Sequence, residues 1–474
     1  MDTKNIIAQI VERRKKDIDE RGFNFGFEIP KVRTRPVNKF MAERGVILEV
    51  KRASPSKGDI APELNAAETA RLYRANGAGA ISCLTEENYF KGNLGDLMAV
   101  CNAVSDVAVL RKDFLIDERE VEIAYLCGAD AVLLISGILA LEKMKSMTAK
   151  CAELGIRAFV EVRTESDAEK VLEVKKDYPE TIVCGVNSRN LKDFSVDLLV
   201  PAMLKKRLGG DVVFESGITT PQAAEKIASM GFSGILLGEF AARNPGKAGG
   251  FVKAFKEKTE DECGKKILEL ARKVSGCRKP LVKICGLKRA CDVLLADSLG
   301  ADFTGFIFSK GFARNVYGTA EFEEIKKVLP RVKAFKVAVV TDAKSEETAE
   351  AVKLVKSGVL DFIQLHGIKY EDLTDELKTV PHYFALSSKE KIEKRETEKL
   401  DSYGEVRYLQ DCKAHVYGST EHLWLAGGVT AENVRDLCAQ FNPELIDVSS
   451  GIEDDIPGIK SEEKMKKFFR ELGR

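Results

Sequence analysis

Short runs of β-branched and aliphatic residues recur at intervals of about 20–30 residues along the chain, separated by stretches whose apolar positions follow helical spacing. In the first half these runs are VILEVK (46–51), GAISCLT (79–85), AVLRKDF (108–114), AVLLIS (131–136), IRAFVEV (156–162), TIVCGVN (181–187), DVVFESG (211–217) and GILLGE (234–239). In the second half they are LVKICG (281–286), FTGFIF (303–308), FKVAVV (335–340), FIQLHG (362–367), HYFALS (382–387), VRYLQD (406–411), HLWLAGG (422–428) and ELIDVSSG (444–451). Strand–helix alternation of this kind builds parallel sheets covered by helices. Eight and eight closes two rings, so the pattern predicts an α/β chain of two tandem (β/α)8 (TIM) barrels. The 45 residues before the first run predict an extra N-terminal helical segment on the first barrel.

Between the halves the chain changes character. Gly246, Gly249 and Gly250 precede a heavily charged helical stretch that ends at Pro280. The expected division is a first barrel over 1–258, a charged helical linker over 259–279 and a second barrel over 280–474. The rival architecture is a doubly wound nucleotide-binding sheet, which would carry GxGxxG or GxxxxGK[ST] after a strand. Neither motif occurs, and SPSKG (54–58) and GAGA (77–80) match only superficially.

Composition narrows the function classes. Lys+Arg and Asp+Glu are 74 each, which gives no electrostatic reason to expect nucleic acid or an anionic membrane as partner. The longest apolar stretch, around 131–141, falls short of the roughly 20 residues that span a bilayer. No secretory h-region follows the start, and the 11 cysteines are scattered without a CxxC pair, so a cytoplasmic location is expected and zinc-finger or dithiol-redox roles are disfavoured. All four histidines lie beyond residue 365. Acid–base chemistry in the first barrel must therefore use other side chains.

Barrel enzymes keep their chemistry at the C-terminal ends of the strands. In the first barrel those ends carry Glu49, Lys51, Lys112, Glu161, Asn187, Glu215, Ser216 and Gly217. Strand alternation sends Glu49 with Lys51, Leu110 with Lys112, and Phe159 with Glu161 into the barrel. One strand-end charge is commonplace, but two lysines and two carboxylates turned inward require mutual compensation, because buried charge is costly unless paired. Glycines after the seventh and eighth runs, Gly217 and Gly238, suit close approach of a phosphate to backbone N–H groups, with Glu239 an awkward neighbour unless turned away. In the second barrel the corresponding ends are Cys285, Arg314, Gln364, His366, Asp411, Gly427, Gly428, Ser449, Ser450 and Gly451.

These residues carry a resemblance. ILEVKRASPSKG (47–58), LRKDF (110–114), EV (161–162), GVNSRNL (185–191) and ESGI (215–218) are similar, in order, to indole-3-glycerol phosphate synthase. The resemblance implies cyclisation of 1-(2-carboxyphenylamino)-1-deoxyribulose 5-phosphate with loss of CO2 and water. It makes Lys112 the general acid on the carbonyl, with Glu49, Lys51 and Glu161 sharing the other proton transfers. Ser54, Asn187, Arg189, Glu215 and Ser216 would hold the intermediate, and Gly217 and Gly238 its phosphate. KICGL (283–287), QLHG (364–367), LAGGV (425–429) and DVSSGIE (447–453) resemble phosphoribosylanthranilate isomerase. That implies an Amadori rearrangement in which Asp411 opens the ribose ring as an acid and Cys285 removes the C2′ proton as thiolate. Arg314 would take the anthranilate carboxylate. Gln364, His366, Gly427 and Ser449 would bind substrate at the mouth, and Gly428, Ser450 and Gly451 would cradle the phosphate.

The resemblance implies two consecutive steps of tryptophan biosynthesis, small phosphosugar–anthranilate substrates, no metal and no organic cofactor; a monomer is allowed. Two departures stand out. Phe312-Ala313-Arg314 replaces the family's Ser-Pro-Arg, and Phe384-Ala385 replaces its Lys-Ala, which is expected to remove a cation from the mouth. Two other readings remain open: a second barrel that binds phosphate without turnover, and a Schiff-base aldolase using Lys112 or Lys51.

Overall fold

The computed structural model describes residues 6–190, 195–277 and 279–474. Leu191, the last residue of the GVNSRNL motif, and the first five residues of the N-terminal segment lie outside them. The chain forms two compact units, Met1–Asp261 and Glu262–Arg474. Among the described residues no helix is long and apolar enough to cross a membrane.

In the first unit eight parallel strands close a barrel: β1 (Gly45–Val50), β2 (Ala80–Leu84), β3 (Ala108–Lys112), β4 (Ala131–Ile135), β5 (Arg157–Val162), β6 (Ile182–Asn187), β7 (Val212–Glu215) and β8 (Gly234–Leu237). Each pairs with its neighbours in sequence, and β8 returns to β1 with Gly234 opposite Gly45. Alternate residues meet inside: Ile47, Leu110, Leu133, Phe159, Val183, Val213 and Leu236 pack into one cluster. The same parity carries Glu49, Lys112 and Glu161 inward one layer higher, toward the mouth.

The predicted N-terminal segment is helix α1 (Ile6–Arg21). It has few buried apolar side chains, so a charged latch fixes it. Arg14 donates to Glu120 Oε1 (2.8 Å) and Asp113 Oδ1 (3.0 Å), all three being buried. Glu120 also closes a reciprocal cap with Asp117 at the start of α2 (Glu118–Leu126). Buried charge is tolerated here because each partner is matched and hydrogen-bonded.

The second unit repeats the architecture with β9 (Leu281–Ile284), β10 (Phe303–Ile307), β11 (Phe335–Val340), β12 (Phe362–His366), β13 (His382–Ser388), β14 (Leu409–Cys412), β15 (Trp424–Ala426) and β16 (Leu445–Val448). Its interior is aromatic. Phe303 lies edge-on to Trp424 (5.7 Å between ring centres), Trp424 meets Tyr383 (5.3 Å), and Phe335 meets Phe362 (5.3 Å). Leu270 and Val274 of helix α3 (Glu262–Ser275) join this interior, so part of the charged stretch before the barrel packs on its core. All sixteen predicted strands occur in their predicted order, with ends shifted by a few residues.

Candidate active sites

At the mouth of the first barrel the inward charges interlock. Lys51 Nζ stands 2.7 Å from Glu49 Oε1, while Lys112 Nζ lies 3.3 Å from Glu49 Oε2 and 2.9 Å from Glu215 Oε2. Tyr73 donates to the Glu49 carbonyl (3.0 Å), fixing the strand end from the helix side. Asn187 bonds the Glu161 carboxylate, and its Oδ1 accepts from the Arg189 N–H at 2.9 Å.

The environments set the carboxylates apart. Burial by itself would push Glu49 up, but Lys51 and Lys112 outweigh it and hold the carboxyl down at about 2. Burial wins at Glu215, which is pushed up to about 7 against the pull of Lys112. Burial also raises Glu161, against Lys112 and the Asn187 hydrogen bond. Burial opposes the Lys112 charge, yet Glu215, Glu49 and Glu161 more than compensate and raise it above the usual lysine range. A committed ammonium thus sits beside one committed carboxylate and two carboxyls able to exchange protons.

These groups face a cavity of about 430 Å³ whose lining includes Lys51, Lys112, Glu161, Asn187, Arg189 and Ser54. Glu215 lies beneath Lys112, wholly buried, and does not line it. Apolar walls come from Phe90, Phe114 and Ile60, and from Ile6, Ile7 and Ile10 of α1. Ser216, Gly217 and Gly238 line one side. Ser216 and Gly217 both adopt positive φ (71° and 73°), which turns the chain sharply after β7. A Cβ at Gly238 would lie 2.6 Å from both Glu49 Oε1 and Lys51 Nζ, so any side chain there would displace the ends of that ion pair. Glu239 is held by Arg243 (3.2 Å).

In the second barrel Cys285 is buried just past β9, and Asp411 is half-buried on β14. Burial raises the Asp411 carboxyl, with His366 pulling it down, and burial lowers the His366 imidazole. Gln364 accepts from Tyr383 Oη (3.0 Å) and lies 3.4 Å from His366 Nδ1. Gly427 packs where a Cβ would meet Asp411 Oδ1 at 2.8 Å, and Gly451 where one would meet the Val429 carbonyl at 1.9 Å. Ser449 donates to the Cys285 carbonyl (3.1 Å), tying the β16 end to the backbone just past β9. Gly428 and Ser450 stand on the same two loops, Gly428 with a positive φ of 66°.

Three features depart from, or extend, the sequence reading. The Phe384 side chain packs in the outer core, while its neighbours Tyr383 and Ala385 belong to the inner cluster. Position 384 therefore faces the helices, and the expected loss of a cation from the mouth does not occur there. The Arg314 fork is already engaged by Glu453, with Nε at 2.8 Å and Nη2 at 2.7 Å from its two oxygens. Glu453 also takes Lys460 Nζ (2.9 Å), and despite burial these cations hold it at about 2. Finally, Lys283 and Asp447 form a buried pair at 2.7 Å beneath Cys285. Lys283 and Cys285 share one strand face by the two-residue period, so the same alternation used in the first barrel would have found it.

The family model for indole-3-glycerol phosphate synthase matches residues 7–249, and that for N-(5′-phosphoribosyl)anthranilate isomerase matches residues 282–471. A multifunctional tryptophan biosynthesis protein of Schizosaccharomyces pombe is 33% identical over 466 residues, covering 90% of this chain. The chain spans 59% of that relative's length. Indole-3-glycerol phosphate synthase of Bacillus cereus (strain G9842) is 37% identical over 237 residues, covering 49% of this chain and 91% of the relative. Among solved structures, phosphoribosylanthranilate isomerase of Thermotoga maritima is 29% identical with a TM-score of 0.34, covering 41% of this chain and 98% of that one. The chain belongs to the indole-3-glycerol phosphate synthase family and carries, in tandem, a domain of the phosphoribosylanthranilate isomerase family.

Proposed function

We propose that the chain is a bifunctional enzyme of tryptophan biosynthesis, with the isomerase over 280–474 supplying the synthase over 1–258 and residues 259–279 joining them. The single observation that carries the reading is Lys112, an ammonium clasped by Glu49 and Glu215 and presented to an apolar-walled cavity.

In the isomerase, Asp411 begins protonated and gives its proton to the ribose ring oxygen as the C1′–O bond breaks and the anthranilate nitrogen forms the imine. Cys285, as thiolate, then removes the C2′ proton, and the resulting enamine tautomerises to the aminoketose. The anthranilate carboxylate docks on Arg314 Nη1, which takes no part in the Glu453 pair. Gly427, Gly428, Ser449, Ser450 and Gly451 hold the phosphate.

In the synthase, Lys112 donates to the substrate carbonyl as the anthranilate ring carbon attacks it; CO2 then leaves and the ring regains its aromaticity. Glu161, held by Asn187, with Lys51 and Glu49, handles the protons of ring closure and dehydration. Ser54, Arg189 and Ser216 orient the intermediate, and Gly217 and Gly238 bind its phosphate through backbone N–H groups. Glu215 holds Lys112 from below. The apolar wall that includes Ile6, Ile7 and Ile10 excludes water from the reacting ring.

The enzyme works in the cytoplasm on small phosphorylated substrates, as a monomer, without nucleic acid, membrane or cofactor. Separate assay of both reactions in the full chain tests the reading. Conversion of phosphoribosylanthranilate through to indole-3-glycerol phosphate supports it. A second barrel that binds substrate without turnover would leave the first reaction undetectable.

A further inference from the structure

A cysteine that serves as a base must lose its proton, and the surroundings of Cys285 oppose that. The side chain is only 7% exposed, and burial pushes the thiol up. Some fixed positive charge must therefore face the sulfur. Every charged or titratable group around it can be named. Lys283 stands on β9 itself, Asp447 on β16, Tyr383 on β13, and Arg314 and Lys460 on loops. His366 and Asp411 across the mouth feel the same Lys283 and Asp447 charges, and Lys413 acts on Asp411 as well.

Of the cations, two are committed elsewhere. Arg314 is locked bidentate on Glu453, and Lys460 donates to Glu453 and to the Ser449 carbonyl. Lys283 differs. It is wholly buried, two residues before Cys285 on the same strand face; Asp447 Oδ2 accepts its hydrogen bond at 2.7 Å, and Cys285 faces it as a further hydrogen-bonding partner. Position 305 on β10 is glycine where a Cβ would lie 2.9 Å from Cys285 Sγ and 3.3 Å from Lys283 Cε. Only glycine there leaves room for sulfur and lysine arm side by side. Register fixes the rest, since β9 and β16 pair Lys283 opposite Asp447.

We propose that Lys283 is a positioning residue for the isomerisation: its ammonium is the counter-charge that holds Cys285 as thiolate, and Asp447 aims it. The inference rests on the isomerase reading. When Cys285 takes the C2′ proton, the sulfur becomes neutral and the Lys283–Asp447 pair stays behind intact, so no charge is stranded in the barrel. A purely structural ion pair would brace the strands equally well but would leave the thiol's titration alone.

The test is thiolate ultraviolet absorbance against pH in the full chain, with the Cys285→Ser spectrum subtracted so that only one cysteine is read. Lys283→Met is expected to move the Cys285 midpoint up by about one to two pH units, and Lys283→Arg to restore most of the shift. Asp447→Asn, by removing a carboxylate from the sulfur, is expected to move it down. The acid limb of isomerase kcat/KM should follow both displacements, and replacing the thiol by a carboxylate (Cys285→Asp) should make the rate insensitive to Lys283→Met. An unchanged midpoint in folded Lys283→Met, or displacement in the same direction for Lys283→Met and Asp447→Asn, overturns the proposal. If Lys283→Met does not fold, Lys283→Gln takes its place: an upward midpoint supports the proposal, and no move or a downward one overturns it. Failure of the isomerase reading has a different signature, a thiol that titrates as expected in every variant while the unaltered chain shows no isomerisation.

Discussion

Lys112 Nζ and Glu215 Oε2 lie 2.9 Å apart, with the carboxyl fully buried under an ammonium that faces the cavity. On the proposed function, the relationship joins a group that contacts substrate to one that only supports it.

Replacing the ammonium tests the first half of that statement. Lys112→Met should reduce indole-3-glycerol phosphate formation by about 10²–10⁴-fold while leaving isomerisation unchanged. Glu49 and Glu215 would then lose their shared cation. Separate initial-rate assays on one purified variant check this, and equal loss of both activities would count against independent sites.

Stability should depend on pH through Glu215. Its carboxyl is raised in the fold to about 7 from an unfolded value of 4.5, so the folded state keeps a proton that the unfolded chain has already released. Its contribution is fully present below the unfolded value and is lost as pH rises from there through about 7. Glu49 acts in the opposite sense: held at about 2, it stabilises above 4.5 and loses this as pH falls toward 2. Glu215→Gln should flatten the stability of the first unit across the upper window. Denaturant unfolding by circular dichroism reads this, while fluorescence of the single tryptophan, Trp424, follows the second unit separately.

The second site should fail in the complementary way. Cys285→Ser and Asp411→Asn are each expected to lower isomerase kcat by about 10²-fold or more and to spare the synthase. Retained isomerase turnover in both variants would remove the acid–base assignment.

The latch on α1 makes a different kind of prediction. Arg14→Met leaves Asp113 and Glu120 buried without their shared guanidinium, a change that typically costs about 3–5 kcal/mol. Because Ile6, Ile7 and Ile10 belong to the same helix, synthase KM should rise more than kcat falls. Steady-state kinetics together with thermal unfolding separate the two effects.

The fold was legible because each barrel strand is a short apolar run with a fixed period. Parity also placed Glu49, Lys112 and Glu161 together, since they need only the inside–outside alternation of their own strands. Phe384 shows the limit of motif matching: its position in a family pattern said nothing of its face, and alternation from Tyr383 and Ala385 would have turned it outward. Glu453, Lys460 and Arg14 were hidden for another reason. The partners of Arg14, and Arg314 as partner of Glu453, lie far away along the chain, while Glu453 and Lys460 meet through loop geometry, which unlike strand register has no period to read.

The α1 roof and the charged floor of the first cavity come from unconnected parts of the chain, and this separates what can vary from what cannot. The floor behaves as a single knot, in which retuning any member retunes its companions. The roof is a detachable apolar surface on one latched helix. On the proposed function, redesign of the accepted ring should therefore begin at Ile6, Ile7 and Ile10, where a new shape can be carved without disturbing the proton inventory below.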